Sequence, residues 1–406
     1  MAMHVCVMGA GIVGLATAYA LRQAGHAVTV VDRGQPGAGV SQGNGAQLSY
    51  SYVQPLADPA IWRQLPKLLL APDSPLKFRP RLDPAQWRWG LAFLAACNAQ
   101  TSRASTAALL ALAARSREDF DAMLLRERLD CDFSATGKLV LYPDAAGFAG
   151  ARRQLAVQQA LGSAAQSAIS AAECVAIEPA LTAYSAQIAG AIHTPSECAA
   201  DCAKTCSGLA QVLQAQGVVF VLGNAVRGFV RRGERIAALA TAQGELPADA
   251  FVLALGPQAP GLARQLGLVL PIYPLKGYSI TLDVGTTPDA APRVSVTDSQ
   301  RKTVFARLGQ RLRVAGMAEL VGEDLAIPRA RIDTLLASTQ AVFPACTGGT
   351  DLSPWAGLRP ATPTGLPIVG RQHGGPANLW VNAGHGALGF TLAFGTARQV
   401  AAELGR

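Results

Sequence analysis

Val5-Cys6-Val7-Met8, followed at once by Gly9-Ala10-Gly11-Ile12-Val13-Gly14, is the stretch whose reading decides the fold. Four apolar residues running into glycine read as a short buried strand. Leu15 to Gln23 is rich in alanine and leucine and predicts a helix, with Gly25 as its stop. Val28-Thr29-Val30-Val31 predicts a second strand, which Asp32 ends. The three glycines have different duties. Gly9 permits the tight turn, Gly11 lets backbone approach a pyrophosphate, and Gly14 lets the helix pack closely on the strand. The helix N-terminus offers free N–H groups to phosphates, so Ala10, Ile12 and Val13 join the glycines as binding candidates. Asp32 is placed to accept hydrogen bonds from a ribose diol. Every neighbour the motif needs is present, so an ADP-containing cofactor follows. The motif does not choose between FAD and NAD.

Composition bounds the rest. At 406 residues the chain suggests two to three domains, or two built from interleaved segments. Half the residues are hydrophobic and 15% are charged, which excludes disorder, collagen and coiled coil. No apolar run reaches the roughly 18 residues of a membrane span. Val5 to Met8 lacks a basic leader and enters a glycine motif, so a signal peptide is not expected and a cytoplasmic location is. The net charge of +8 suits an anionic cofactor, an anionic substrate or a membrane surface. Without a recognition motif it does not point to nucleic acid. The eight cysteines are expected as thiols. Cys198, Cys202 and Cys206 read as one buried helical stripe, and no metal site is expected.

Further along, Ser41 to Gln47 is a glycine-rich polar loop, and residues 54–84 read as irregular with short helices. Helices are predicted over 102–128, Cys202 to Gln216, 329–342 and Phe390 to Leu404. Strands are predicted at Gly137 to Tyr142, Ile188 to Thr194, Val218 to Leu222, Ile236 to Thr241, Phe251 to Leu255 and Leu379 to Asn382. Tyr273 to Leu282 alternates like a half-exposed strand, and Thr303 to Arg307 with Arg311 to Ala315 reads as a hairpin. A second glycine loop, Gly384-His385-Gly386-Ala387-Leu388-Gly389, precedes the last helix. α/β units open and close the chain, with a β-rich stretch between them.

The sequence resembles bacterial FAD-dependent D-amino acid dehydrogenases, within the wider group of D-amino acid, glycine and sarcosine oxidases. The resemblance rests on Gly9 to Gly14 with Gly25 to Arg33, Asn44 to Ser49 with Tyr52, Lys276-Gly277-Tyr278-Ser279, Trp355 to Pro360 with Pro367 to Gly370, and Gly384-His385-Gly386 with Leu388-Gly389. Trp87-Arg88-Trp89 and Asp201-Cys202 are closer to the dehydrogenases. The resemblance implies an α/β fold: a Rossmann-type FAD domain of the D-amino acid oxidase kind, interleaved with an α+β substrate domain on an antiparallel sheet. We expect the FAD domain in residues 1–50, 195–265 and 350–406, and the substrate domain in 51–194 and 266–349. The implied reaction is hydride transfer from the Cα of a D-amino acid to flavin N5. The product is an imine that water converts to a 2-oxo acid and ammonia, with electrons passed to a quinone or another acceptor. Two departures stand out: Cys198 replaces one of a pair of acids, and Tyr50 replaces a proline.

The same resemblance supplies the site. FAD would be held by Gly9 to Gly14, Asp32, Arg33, Ser41, Asn44, Gly45, Ala46, Gln47, Leu48, Val226, Gly256, Gly384, His385, Gly386, Gly389, Phe390 and Thr391. The dipole of the last helix would favour the reduced, anionic flavin. Arg359 is the candidate for a two-point grip on the substrate carboxylate. Tyr278 and Tyr52 are candidates for a hydroxyl on that carboxylate or a lid, and His385 for contact with flavin or substrate. Lys276 either orders a water near the flavin or caps a surface strand. Basic residues interleaved with tryptophan over 61–90 suit peripheral contact with the inner face of the cell membrane; ordinary helices are the competing reading. Four other functions stay open: a peroxide-forming oxidase of glycine, sarcosine or D-amino acids, a dehydrogenase of a D-proline derivative, an electron-transfer or scaffolding subunit, and a nicotinamide enzyme. The last leaves the C-terminal glycine loop unexplained.

Overall fold

A computed structural model describes residues 2–62, 76–285, 287–346 and 352–405. The opening unit is strand His4–Met8, helix Ile12–Gln23 and strand Ala27–Val31. The helix starts ahead of the alanine-rich run because the extended Gly11 at its N-cap feeds the glycine turn straight into it. Both strands lie in a six-stranded sheet ordered Ile368–Gly370, Leu379–Ala383, Ala250–Leu253, His4–Met8, Ala27–Val31, Val219–Val221. All neighbours are parallel except the first pair.

A parallel sheet has to be covered on both faces. Val5 and Val7 turn one way, into a core shared with Leu15, Leu209, Leu392 and Phe394 of helices Ile12–Gln23, Cys202–Ala215 and Gly389–Leu404. Cys6 and Met8 turn the other way, against Ile236, Leu239 and Leu262. That second cover is the antiparallel sheet Val226–Arg232, Arg235–Thr241, Gly244–Pro247 with helix Ala259–Arg264. The long helix Ala99–Glu127 packs on the last helix through Phe120, edge-on to Phe390 and Phe394.

A nine-stranded sheet forms the second layer. Its path runs Trp355–Ala361, Tyr273–Asp283, Arg311–Leu320, Thr303–Leu308, Ser295–Asp298, Lys138–Tyr142, Gly190–Thr194, Ser167–Ile169. It is antiparallel apart from Ser295–Asp298 beside Lys138–Tyr142, and Leu76–Phe78 beside Arg311–Leu320. The expected hairpin over 303–315 is present, with its second arm extended to Leu320.

Three readings need correction. Tyr273–Asp283 is covered on both faces rather than half-exposed. Ile280 and Leu282 pack with Leu335 of helix Arg329–Val342 on one side, and Ser279 donates to the Gly43 carbonyl at 2.8 Å on the other. Its polar residues are satisfied inside, so their alternation does not signal solvent. Cys198 is in no helix: it pairs with Leu48 in the short ladder Gln47–Leu48 with Cys198–Ala199, and the helix begins at Cys202. All eight cysteines are buried. Lastly, helix Pro84–Ala96 was foreseen only as the competing reading of 61–90, and helix Ala145–Ala160 not at all; the second buries only Leu155 and Gln158, too little for a readable stripe.

Gly14 has no room for a side chain: a Cβ there would sit 1.9 Å from the Gly9 carbonyl oxygen. Gly14→Ala should therefore destabilise the protein by about 1–3 kcal/mol, the usual range for overpacking. Thermal melts check this; an unchanged melting temperature would contradict the packing described.

Candidate active site

Residues of both large sheets line a cleft of about 430 Å³. On the parallel-sheet side it is walled by Gly9, Gly11, Ile12, Val13, Asp32 and Arg33, then by Ser41, Asn44 and Gly45. Val226, Gly256, His385, Gly386, Gly389 and Phe390 extend this wall. Gly277, Tyr278, Ala315, Trp355, Gly357 and Arg359 supply the opposite side. Most of the expected cofactor residues thus meet in one place.

Seven do not line it, each for a visible reason. Ala10 gives its N–H to Asp32 Oδ2 at 2.7 Å, while Gly34 donates to Oδ1 at 2.7 Å, so this carboxylate ties the glycine turn to the strand end. Gly14 is consumed in packing. Ala46 donates to Asn44 Oδ1 at 2.9 Å. The Gln47 amide donates to the Val296 and Phe305 carbonyls, 3.2 Å each, and so faces the large sheet. Leu48 is core. Gly384 lies against Thr362, and Thr391 Oγ1 accepts the Ser49 N–H at 3.2 Å.

The cleft is built for a ligand with anionic and hydroxyl groups. Helices Ile12–Gln23 and Gly389–Leu404 both begin at it; neither N-cap residue makes a side-chain bond and neither first turn holds an acid, although Ser41 Oγ accepts the Ile12 N–H at 3.1 Å. Their positive ends are left to the ligand. Asn382, fully buried, donates Nδ2 to Thr17 Oγ1 at 2.9 Å, while its Oδ1 has no partner and the residue lines the cleft. An orphan buried acceptor costs about 1–3 kcal/mol; a ligand hydroxyl would satisfy it. Phosphates at the first helix and a polyol chain beside Asn382 fit FAD.

Arg359 is the cation of the sheet side. Its Nη1 donates to the Met317 carbonyl at 2.8 Å, and among the described residues no carboxylate pairs with it. Withdrawal from water lowers its pKa to about 10, so it stays charged at neutral pH.

The other proposed reactive groups are elsewhere engaged. Tyr278 is on the cleft wall, but its hydroxyl donates to Glu319 Oε2 at 2.8 Å, and Glu319 pairs with Arg331 of helix Arg329–Val342. The ring belongs to the core on that outer face, opposite Ser279. Its hydroxyl is therefore not offered to a carboxylate. Lys276 is buried too: Nζ reaches the Ala326 carbonyl at 2.5 Å and Asp324 at 3.5 Å, which makes it neither a surface cap nor a cleft residue. His385 lines the cleft, yet its Nε2 is 3.0 Å from Thr396 Oγ1, whose own proton goes to the Ala393 carbonyl. The imidazole is a buried structural donor whose pKa burial lowers to about 4.

Tyr52 does not line the cleft; its ring lies under Lys138 Nζ at 4.3 Å. Lys138 donates to Ser49 Oγ at 2.8 Å, and burial lowers its pKa to about 8. The two departures from the family pattern also fall outside the cleft. Glu197 accepts the Tyr50 and Ser51 N–H groups at 2.6 and 2.7 Å, next to Cys198. Sequence reasoning missed Trp355, Gly277, Gly357 and Asn382. Reading Trp355 to Arg359 as a strand would have placed Trp355, Gly357 and Arg359 on one face.

Residues 4–403 match the DAO family, FAD dependent oxidoreductase. The chain is 48% identical to D-amino acid dehydrogenase 2 of Ralstonia nicotianae, covering 100% of this chain and 97% of that one. It is 47% identical to D-amino acid dehydrogenase 2 of Pseudomonas aeruginosa, covering 100% and 96%. Among solved structures, glycine oxidase from Geobacillus kaustophilus superposes with a TM-score of 0.80 at 20% identity over 100% of this chain and 95% of that one. L-proline dehydrogenase from P. horikoshii gives 0.76 at 18% identity over 98% and 92%. The protein belongs to the DAO family of FAD-dependent oxidoreductases, and its cofactor is FAD.

His385 yields a pH prediction. Its folded pKa, about 4, lies below the ordinary 6.5, so between these values the unfolded chain binds the proton more readily. Its contribution is full above pH 6.5 and lost as pH falls toward 4, roughly 3 kcal/mol in all. Thermal melts across this window should show stability falling with acidity, and His385→Gln should flatten the slope. An unaltered slope would contradict the assignment.

Proposed function

We propose that the protein oxidises D-amino acids to imines, which water converts to 2-oxo acids and ammonia. The observation that carries this reading is Arg359, a cation without a carboxylate partner among the described residues, set in a cleft that fits FAD. The curated relatives named D-amino acid dehydrogenase support the substrate class. When bound, FAD supplies a two-electron acceptor for the Cα hydride.

The chain's own work is placement. The guanidinium takes the carboxylate through paired charge-assisted bonds, which fixes Cα in the cleft. Among the described residues, the only charged ones lining the cleft are Asp32, Arg33 and Arg359, and His385 is held neutral. Among the described residues, no side-chain base therefore faces the substrate's ammonium group from the sheet side. The amine binds after giving its proton to water, and its lone pair forms the C=N bond as the hydride leaves. Stereochemistry rests on the relatives rather than on this geometry.

We further propose a quinone or another non-oxygen acceptor, and peripheral contact with the inner face of the membrane. Among the described residues no helix is long and apolar enough to cross a membrane. Helix Pro84–Ala96 exposes Trp87 and Leu91 next to the exposed Leu82, with Arg88 between them, and these support the reading. Trp89 is not part of it: the ring is buried and donates to the Ala361 carbonyl at 2.8 Å. Residues 63–75 of the basic segment lie outside the described residues.

Anaerobic mixing with D- and L-amino acids should bleach the flavin absorbance with D-enantiomers alone. Bleaching by L-enantiomers alone, or by no amino acid, would overturn the proposal. Hydrogen peroxide made stoichiometrically in air would replace the acceptor by oxygen. Arg359→Ala should raise KM about 100-fold or more, the scale of a lost charge-assisted pair.

A further inference from the structure

Trp355, Gly357 and Arg359 alternate along strand Trp355–Ala361, and Gly357 pairs directly with Gly277 across the neighbouring strand. The guanidinium lies over Gly277. A Cβ on Gly277 would sit 2.3 Å from Arg359 Nη2 and 2.5 Å from Cζ. Gly277 is not in the left-handed region, so its backbone would accept alanine. Space for Arg359, rather than conformation, is what requires glycine here.

The other half of the seat is Met317. The ladder between Tyr273–Asp283 and Arg311–Leu320 slips between Lys276 and Tyr278. At this irregularity Met317 takes φ 63°, a left-handed conformation that costs a non-glycine residue energy. Its carbonyl accepts Arg359 Nη1 at 2.8 Å. Bulges beside active sites commonly re-aim a group in this way. One donor of the guanidinium is thereby fixed and the others are left for the cleft.

We infer that Gly277 is a positioning residue that acts through Arg359: it lets the guanidinium lie flat on the sheet, where the Met317 carbonyl fixes its orientation. This rests on the reading of Arg359 as the carboxylate site. A larger residue at 277 would lift the guanidinium while leaving the FAD wall of the cleft intact.

The test is a double-mutant cycle on the FAD-loaded enzyme, with Gly277→Ala, Arg359→Lys and the pair. Two quantities are read: KM against kcat for a D-amino acid, and the Kd of acetate from its perturbation of the flavin spectrum. Gly277→Ala should raise KM and the acetate Kd at least tenfold, with kcat changed less than threefold. In the Arg359→Lys background, where the head group is slimmer, it should add less than twofold. Unchanged constants, or an equal rise in both backgrounds, would overturn the inference. If Arg359→Lys itself moves neither constant, it is the carboxylate assignment that fails. Should Gly277→Ala lose its flavin, Met317→Ile against Met317→Leu decides. The β-branched residue resists the left-handed conformation and should raise the acetate Kd well above the leucine variant; equal values would overturn the inference.

Discussion

Backbone contact without side chains between is the constraint on which the cleft depends. Gly9 lies where a Cβ would meet the Ala254 carbonyl oxygen at 2.5 Å, and Gly14 packs on Gly9 itself. The first contact brings the glycine turn onto strand Ala250–Leu253, and the second brings the helix onto the turn. Together they set the first-helix N-terminus at the cleft wall, where phosphate would meet it beside the Ile12 N–H that Ser41 Oγ accepts at 3.1 Å. The same economy recurs on the facing sheet. Gly43 and Gly357 would each drive a Cβ into Trp355, and Gly277 would drive one into Arg359. Two large flat side chains therefore lie down on the strands instead of filling the space that a flavin ring needs.

Polar groups on the large sheet then hold the loop that closes the cleft. Ser279 donates to the Gly43 carbonyl, Arg313 donates to the Asn44 carbonyl at 2.9 Å, and the Gln47 side chain reaches two strands of that sheet. Farther along, the Glu197 carboxylate accepts two successive backbone N–H groups from Tyr50 and Ser51. Hydrogen bonds to charged groups contribute about 1.5–3 kcal/mol each, more than neutral ones. The loop is thus fixed by the sheet that carries Arg359, which couples the position of that wall of the cleft to that of the Arg359 guanidinium. Of the departures from the family pattern, Tyr50 gives its N–H to this clamp and Cys198 follows Glu197 in the chain, and neither lines the cleft.

The nucleotide unit was legible in the sequence because its physics is local: strand, turn, helix and acid follow one another within Val5 to Asp32. Arg359 and the second glycine loop were legible through resemblance. What escaped was set by partners distant in sequence. Tyr278 neighbours Gly277 and Ser279, but only the pairing with Arg311–Leu320 sends its hydroxyl to Glu319 and away from the cleft. His385 sits between two glycines of the cofactor loop, and its ring turns inward to Thr396, one of the last helix's own residues. Lys276 read as a surface residue because buried lysines are rare, and its partners Asp324 and Ala326 lie far along the chain. Asn382 read as a strand residue; its orphan Oδ1 appears only when the helix bearing Thr17 is packed against it.

One cleft would serve two ends: helix N-termini and Asn382 for FAD, and Arg359 for a carboxylate next to the flavin ring. A crystal structure of the protein with FAD and acetate tests this most directly. The account predicts the pyrophosphate over Gly11 and the start of the first helix, a ribityl hydroxyl on Asn382 Oδ1, and acetate on the Arg359 guanidinium within reach of the flavin. Acetate bound at Lys138 instead, or a flavin ring turned away from Arg359, would contradict it.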